Sequence, residues 1–567
     1  MFRKTTVMAV VLGLLLAVFV TSPAKAWSVP PAPTTVYNAD PATLQGDILA
    51  GAAPTGWQTK PVLVFVQGLH GSAVNWWGPT SYYGDNDMYA YAYNYGYRTF
   101  FVQFRDADGN AGSMWLNGSV LRQQLEWIAK YAGVSKVNIV AHSKGGVDSQ
   151  SAIVHYGAGP YVNRVLTLSS PHRGSELADL SYSWYAWWLG ALLGEHDDGT
   201  YVMQTGYMDY FRSVTDGRPE DIAMDHYYTL GGTNHGPWFS AIWYGGAYLN
   251  AYGPNDGVVR TYSAHALPGH SADPTSSAWN HDNIRMGSQV FSYVNSFAGQ
   301  LAVSDFGGAR QASEAPAYRV AALGSAEAAA TVANSTQAVA DSGRIYRGGQ
   351  WVKGQASETV PVESGAKQVV FEVLSASPGL QVTLVSPSGQ RLNADQRHAA
   401  DEYFRGAERV ALAVEQPEGG LWSIEMQDAS GSDGAYLASA AIEGGLTAQL
   451  ARPAGVVEPG SSLDLSLTLA GGPAAIASAE AEGTLVRTES GKSRPVKISA
   501  GRLGQWIQGK GLKAKQLLPK QDGIYNLSLT IRGTLADGSP FERSLVTSFA
   551  VVDPAHRDAA HLKGLVK

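Results

Sequence analysis

The 567-residue chain contains no cysteine. Disulfides, thiolate metal sites and lipid attachment through an N-terminal Cys are therefore excluded. Charge is sparse, at 16% of residues with a net of −7, and gives no electrostatic reason to expect nucleic acid as a partner. Beyond the run Val7–Val20, no apolar stretch is long enough to cross a bilayer. That run follows Arg3 and Lys4 and precedes Ala24-Lys25-Ala26, a small-x-small cleavage site. Residues 1–26 therefore read as a secretory signal, with an uncleaved anchor as the alternative. A secreted chain without disulfides needs cores large enough to stand alone. The length suggests about three or four domains. Aromatic residues are the opposite of scarce: there are 28 tyrosines and 15 tryptophans, most of them in the first half.

The chain is organised around Val137-Asn-Ile-Val-Ala-His-Ser143-Lys-Gly-Gly146. An apolar run meets a serine, two glycines and a helix-like stretch, which is the strand-turn-helix layout of a Gly-x-Ser-x-Gly nucleophile elbow. So tight a turn holds strained backbone, and its flanking positions must be small. Gly145 satisfies this, and Ala141 replaces the first glycine at the cost of one methyl. The competing reading makes Ser143 an ordinary helix N-cap.

The surrounding elements fit a parallel sheet. Pro61-Val-Leu-Val-Phe-Val66 is continuously apolar, as a strand buried on both faces would be, and ends in the loop Gly68-Leu-His-Gly71. Residues 99–104 and 164–169 read as further strands. Residues 112–132 read as a helix with Leu116, Val120, Leu121, Leu125 and Ile128 on one face. Strands alternating with helices imply a mostly parallel sheet with helices on both faces, and ligands bind beyond the carboxyl ends of such strands. A serine nucleophile needs a base and a carboxylate that orients it. Downstream lie Asp256, on the turn Gly253–Val259, and His281, ahead of the helix-like segment Ile284–Phe297. His265 and His270 are alternative bases, and Asp225 and Asp273 alternative acids. His142 is expected to point into the packing, and His172 to anchor the loop after its strand.

The segments Gln67–Gly71, Ala141–Gly145, Ser170–Ser175, Asn255–Val259 and Asn280-His281, in that order, resemble the secreted bacterial true lipases and esterases of the α/β-hydrolase superfamily, over about residues 58–300. The resemblance implies Ser143 as nucleophile, Asp256 as acid and His281 as base. It also implies an oxyanion hole from the backbone N–H groups of Leu69 and Lys144, each donor worth on the order of 3 kcal/mol in the transition state. Gln67 stands where such lipases usually carry His, which affects anchoring of the loop more than charge stabilisation. Some relatives hold calcium with an aspartate two residues after the catalytic His. Asp282 is only one residue after, so calcium is not carried over, although Asp282, Asp273 and Asp225 supply hard oxygen ligands. The chemistry itself needs no cofactor.

Residues 176–248 form an aromatic-rich insertion, expected to be either a mobile lid or a fixed cap. Trp184 and Trp187 within it, with Trp76 and Trp77 beside the oxyanion loop, are expected to line an apolar, roomy substrate pocket. Residues 303–345 read as linker. Alternating apolar residues with Gly/Pro turns then predict two β-sandwiches, at 346–445 and 446–554. Asp522-Gly-Ile-Tyr525 is similar to the Asp-Gly-x-Tyr corner of immunoglobulin-like domains. Residues 555–567 read as a frayed tail. The expected architecture is thus an α/β-hydrolase domain at 27–302 followed by two all-β sandwich domains. The expected function is cleavage of carboxylic esters, as a lipase or esterase acting on lipid or ester substrates. The alternatives are an extracellular polyester depolymerase whose modules bind polymer, and a surface-binding protein with an inactive hydrolase domain.

Overall fold

The computed structural model describes residues 27–40, 46–104, 107, 109–187, 196–223, 227–238, 240–267, 275–299, 339–394, 396–398, 407–451, 455–491, 495–507 and 511–566. The expected signal at 1–26 and most of the expected linker lie outside them, as do Asp225, His270 and Asp273.

Eight strands form the first sheet, in the order β1-β2-β4-β3-β5-β6-β7-β8. They are β1 (Thr34–Tyr37), β2 (Ile48–Ala50), β3 (Leu63–Val66), β4 (Thr99–Val102), β5 (Val137–His142), β6 (Val162–Leu168), β7 (Tyr227–Gly232) and β8 (Thr275–Ser276). From β4 across to β8 every pairing is parallel, while β1 and β2 add an antiparallel edge. β3, β4 and β5 are buried along their whole length because helices cover both faces. One face packs Val64, Phe100, Ile139 and Val165 against Leu121, Leu125 and Ile128 of helix α2 (Met114–Ala132). The other packs Phe65, Phe101, Val140 and Leu166 against α1 (Met88–Asn94) and the helix Gly287–Gly299. Leu116, expected on the buried face of α2, is instead 37% exposed, while its first-turn neighbours Met114, Trp115 and Asn117 are buried.

The C-terminal half is all-β. Two sheets, β10 (Arg344–Trp351), β18 (Gly434–Glu443), β12 (Gln368–Ser375), β16 (Glu408–Glu415) and β15 (Gln396–His398) in that order, and β11 (Gln355–Val362), β17 (Gly420–Asp428), β13 (Leu380–Val385) and β14 (Arg391–Ala394) in that order, face one another around Phe371, Leu384, Trp422 and Ile424. The alternating residues Leu380, Val382 and Leu384 lie in β13 (Leu380–Val385), and Trp422, Ile424 and Met426 in β17 (Gly420–Asp428). The following unit is one nine-stranded sheet rather than two separate ones. Its long strand β23 (Val496–Ile507) pairs with β22 (Ile476–Thr488) from Val496 to Gln505 and with β24 (Gly511–Leu517) at Trp506 and Ile507, so two layers close over Leu465, Leu467, Leu527, Leu529 and Leu545.

Two boundaries differ from the sequence reading. Residues 339–342, expected as linker, form strand β9 and pair with β19 (Leu446–Ala451) of the second unit, and β10 already begins at Arg344. The tail is docked rather than frayed. Asp558 caps a short helix, Ala559–Lys563, and Leu562 is fully buried in a cluster with Tyr207, Tyr210 and Phe211 of the helix Thr205–Thr215. Leu562 and two tyrosine hydroxyls, donating to the carbonyls of Leu562 and His556, help to hold a segment that charge alone makes look solvated.

Candidate active site

Ser143 follows the last residue of β5 and opens α3 (Lys144–Tyr156). Its backbone, at φ 53° and ψ −133°, is in a region that L-residues avoid, so the turn is strained as the elbow motif requires. It occupies the N-cap position, yet its hydroxyl caps nothing. The small-residue requirement has a visible cause. A Cβ at Gly145 would stand 2.3 Å from Gln67 O, and one at Gly68 would stand 2.9 Å from Ser143 Cβ.

The next parallel strands bring the partners to the same edge. Asp256 lies in the turn after the helix Ala241–Leu249 that follows β7, and His281 lies just beyond β8. His281 Nδ1 donates to Asp256 Oδ2 at 2.8 Å, and its Nε2 stands 3.1 Å from Ser143 Oγ. A carboxylate can only accept, so the proton of neutral His281 is on Nδ1, and Nε2 is left to accept from the serine hydroxyl. Asp256 Oδ1 takes the N–H groups of Val258 and Val259 at 3.0 and 2.7 Å. Burial pushes the Asp256 carboxyl up, but the facing His281 and these hydrogen bonds outweigh it and hold the carboxyl below its ordinary value. The loop is braced by a buried two-pronged contact from Arg260 to Glu176. Such an arrangement can pass a proton from a serine hydroxyl to an imidazole held in one tautomer.

His142 is buried and donates from Nε2 to the backbone oxygen of His281 at 2.9 Å. Burial first, then His281 and Arg285, push its pKa well below the usual histidine value, so it is a neutral support under His281. His172 is buried against Thr167. His265 is held between Thr229 and Thr275, away from Ser143. Asp282 accepts from Arg285 at 2.6 Å and from the N–H of Tyr82 at 3.0 Å, so its oxygens serve the loop.

Leu69 and Lys144 both line the cavity in front of Ser143. Lys144 itself is buried, with Nζ 2.8 and 3.0 Å from the two oxygens of Asp148. Gln67 ties down the loop after β3: with its amide turned so that both ends are satisfied, the nitrogen donates to Val102 O at 2.6 Å and the oxygen accepts from Phe104 N at 2.8 Å. Sequence reasoning missed the second brace of this loop. His70, at φ 53°, pairs through Nε2 with Asp197 Oδ2 at 2.5 Å, and Asp197 also accepts from the N–H groups of Ala111 and Thr200. A histidine inside the loop was visible, but nothing marked a partner 127 residues away.

The cavity measures about 200 Å³ and is walled mainly by apolar side chains, among them Leu69, Leu177, Leu180, Met203 and Val259. The four tryptophans expected there are not part of its wall. Trp76 is buried in the sheet core against Phe65, and Trp77 packs edge-on to Phe101. The N–H of Trp184 donates to Ser528 Oγ, and Lys497 lies over its ring. The N–H of Trp187 donates to Ser183 O at 3.1 Å, while the neighbouring Ala186 reaches the cavity. Indole rings filled gaps between layers, whereas smaller aliphatic side chains shape the pocket.

Leu374, Ala407 and Leu437 of the first sandwich complete the wall. They belong to a junction in which Leu180, Tyr185, Tyr244 and Tyr248 of the aromatic insertion pack with Tyr346, Leu374, Leu437 and Val546. The insertion thus meets the C-terminal half rather than open solvent.

A profile of the PGAP1-like alpha/beta domain matches residues 58–186. A triacylglycerol lipase of Burkholderia plantarii is 30% identical over 143 residues, which are 24% of this chain and 37% of that protein. The chain therefore spans little more than a third of that relative's length. The lipase BlEst2 of Bacillus licheniformis in propeptide form superposes with a TM-score of 0.67 at 28% identity, covering 90% of this chain and 98% of that one. The mature form of BlEst2 is 36% identical over 48% of this chain and 100% of that one, with a TM-score of 0.39. The fold, with its strained serine turn at the carboxyl edge of a mostly parallel sheet, is that of an α/β-hydrolase. Within that class, the chain belongs to the lipase and esterase family.

Proposed function

We propose that the protein cleaves carboxylic esters through an acyl-enzyme on Ser143. The observation that carries this is the continuous link Ser143 Oγ, His281, Asp256 at the wall of an apolar cavity. Ser143 Oγ attacks the ester carbonyl while His281 Nε2 takes its proton. The N–H groups of Leu69 and Lys144 receive the oxyanion. His281 returns the proton to the leaving alcohol, and water repeats the sequence on the acyl group to release the acid and free Ser143. An apolar wall suits an uncharged acyl chain and disfavours a charged one.

The first sandwich contributes Leu374, Ala407 and Leu437 to the cavity, which favours a cover over a polymer-binding appendage. BlEst2 is described in a propeptide form, and that form matches 90% of this chain. We therefore read residues 339–566 as the part of a precursor that closes the substrate mouth, exported with the signal at 1–26. The test is hydrolysis of short- and long-chain p-nitrophenyl esters by the wild type and Ser143→Ala, each before and after cleavage between residues 300 and 338. Turnover that rises on cleavage and disappears in Ser143→Ala supports both parts. Equal rates in wild type and mutant reject the hydrolase.

A further inference from the structure

Among the described residues, one group of side chains has the composition of a transition-metal site, and it lies outside the ester cleft: Asp522, His556 and His561. Asp522 is in the turn before β25 (Gly523–Leu535), and the histidines are on the docked tail. Asp522 Oδ2 is 2.6 Å from His556 Nδ1 and 3.2 Å from His561 Nε2. The two imidazoles stack with centroids 4.9 Å apart and planes 20° from parallel. His561 Nε2 is shielded from solvent, yet it makes no hydrogen bond in this arrangement. Asp522 Oδ1 is already used, accepting the N–H of Asp553, which orients Oδ2 toward the two rings. The other nearby carboxylates are committed to capping: Asp553 accepts from Ala555 N–H, and Asp558 from His561 N–H.

We propose that Asp522, His556 and His561 bind a divalent transition-metal ion of the zinc class, which clasps the C-terminal tail to the second β unit. The geometry is close to what such an ion needs. Metal–ligand bonds of about 2.0–2.1 Å in a tetrahedron separate neighbouring donors by roughly 3.3 Å. The 3.2 Å pair already meets this, and the 2.6 Å pair must open by roughly 0.7 Å, well within the reach of a half-exposed His556. Two imidazoles and one carboxylate oxygen select zinc, cobalt or nickel over calcium or magnesium, which require mostly oxygen ligands. The half-exposed His556 leaves room for water as a fourth ligand.

The location gives the site a consequence. The tail that carries both histidines lies on the helix Thr205–Thr215 of the hydrolase half: Tyr207 OH donates to Leu562 O, and Tyr210 OH to His556 O. Lys563 lies over the rings of Trp115 and Tyr156. An ion bridging Asp522 to the tail would therefore strengthen the union of the two halves, because anything that binds only the assembled state stabilises it.

The experiment is a Co²⁺ titration of the untagged full chain, followed by visible d–d absorption, with Zn²⁺ as competitor. Expected is one saturable site with bands of tetrahedral intensity, bleached by Zn²⁺, and a rise in the thermal midpoint with Zn²⁺ that EDTA reverses. His556→Ala and His561→Ala should each weaken binding by more than the 10- to 100-fold that outer-shell partners typically carry, and should abolish the thermal shift. If either alanine chain fails to fold, Asp522→Asn keeps the acceptor for Asp553 N–H and gives the same decision. No saturable band, or unchanged affinity in the variants, overturns the proposal. Since the readout is metal binding, it stands or falls apart from ester hydrolysis.

Discussion

Gly206, at the start of the helix Thr205–Thr215, lies directly on the backbone of Phe549 in the last strand, β26 (Pro540–Val551). A Cβ built on it would stand 2.5 Å from Phe549 N. Hydrolase and sandwich meet there main chain to main chain, and neither backbone can yield locally. Gly206→Val should force the halves apart and destabilise the intact chain by about 1–3 kcal/mol, the usual range for overpacking. Chemical denaturation measures the loss. If the C-terminal half closes the substrate mouth, ester turnover by the uncleaved variant should also rise above wild type.

The buried pair Lys144–Asp148 sits directly behind the serine, with side chains 1% and 2% exposed, and Asn117 donates to Asp148 Oδ2. Removing one partner strands the other charge in the interior. Asp148→Ala should cost about 3–5 kcal/mol by denaturant unfolding. The double change Lys144→Met with Asp148→Leu should cost much less, because no unpaired charge is left.

Asp197 braces His70, the residue after the proposed oxyanion donor Leu69. Asp197→Asn should lower kcat about tenfold with little change in KM, a smaller loss than the 10²- to 10³-fold that follows removal of a donor itself. A rise in KM alone, with kcat intact, would assign Asp197 to the substrate pocket instead.

His155 sets an acid limit on stability. Burial first, then the cations Arg218, Lys563 and Arg212, push its pKa down to about 3. Unfolded His155 takes up a proton as pH drops below about 6.5, while the folded residue stays neutral to about pH 3. The unfolded state therefore binds more protons throughout that window, and stability falls as pH falls. His155→Gln should flatten the decline in unfolding free energy between pH 6.5 and 4 and change little above pH 7. An unchanged slope would assign the acid sensitivity to other groups.

The serine turn, its flanking strands and its partners were legible because their signals are local. Val137–Ala141 reads as a buried strand from its own residues, and Gly145 is required by the turn itself. Asp256 and His281 stand on short loops whose order follows from the sheet. The contribution of the C-terminal half to the cavity wall was not legible. Leu374 and Leu437 alternate with the sandwich's own core residues Val373, Tyr436 and Ala438 and so face away from that core, but nothing in their own segments says that the neighbour is a cavity in another half. The tryptophans misled for a related reason. Large aromatic side chains signal burial, but not which surface buries them: Trp76 fills the sheet core, and Trp184 meets Ser528 and Lys497. The charges of the tail point to a solvated end, whereas Leu562, the tyrosines of a distant helix and Lys563 against Trp115 fix its position.

The role of Ser143 can be tested most directly by covalent trapping. The chain, cleaved between residues 300 and 338, is incubated with an alkyl fluorophosphonate, and the modified peptides are mapped by mass. The account predicts one adduct, on Ser143, that is lost in Ser143→Ala and forms far more slowly in His281→Ala. No adduct, or labelling that persists in Ser143→Ala, would contradict it.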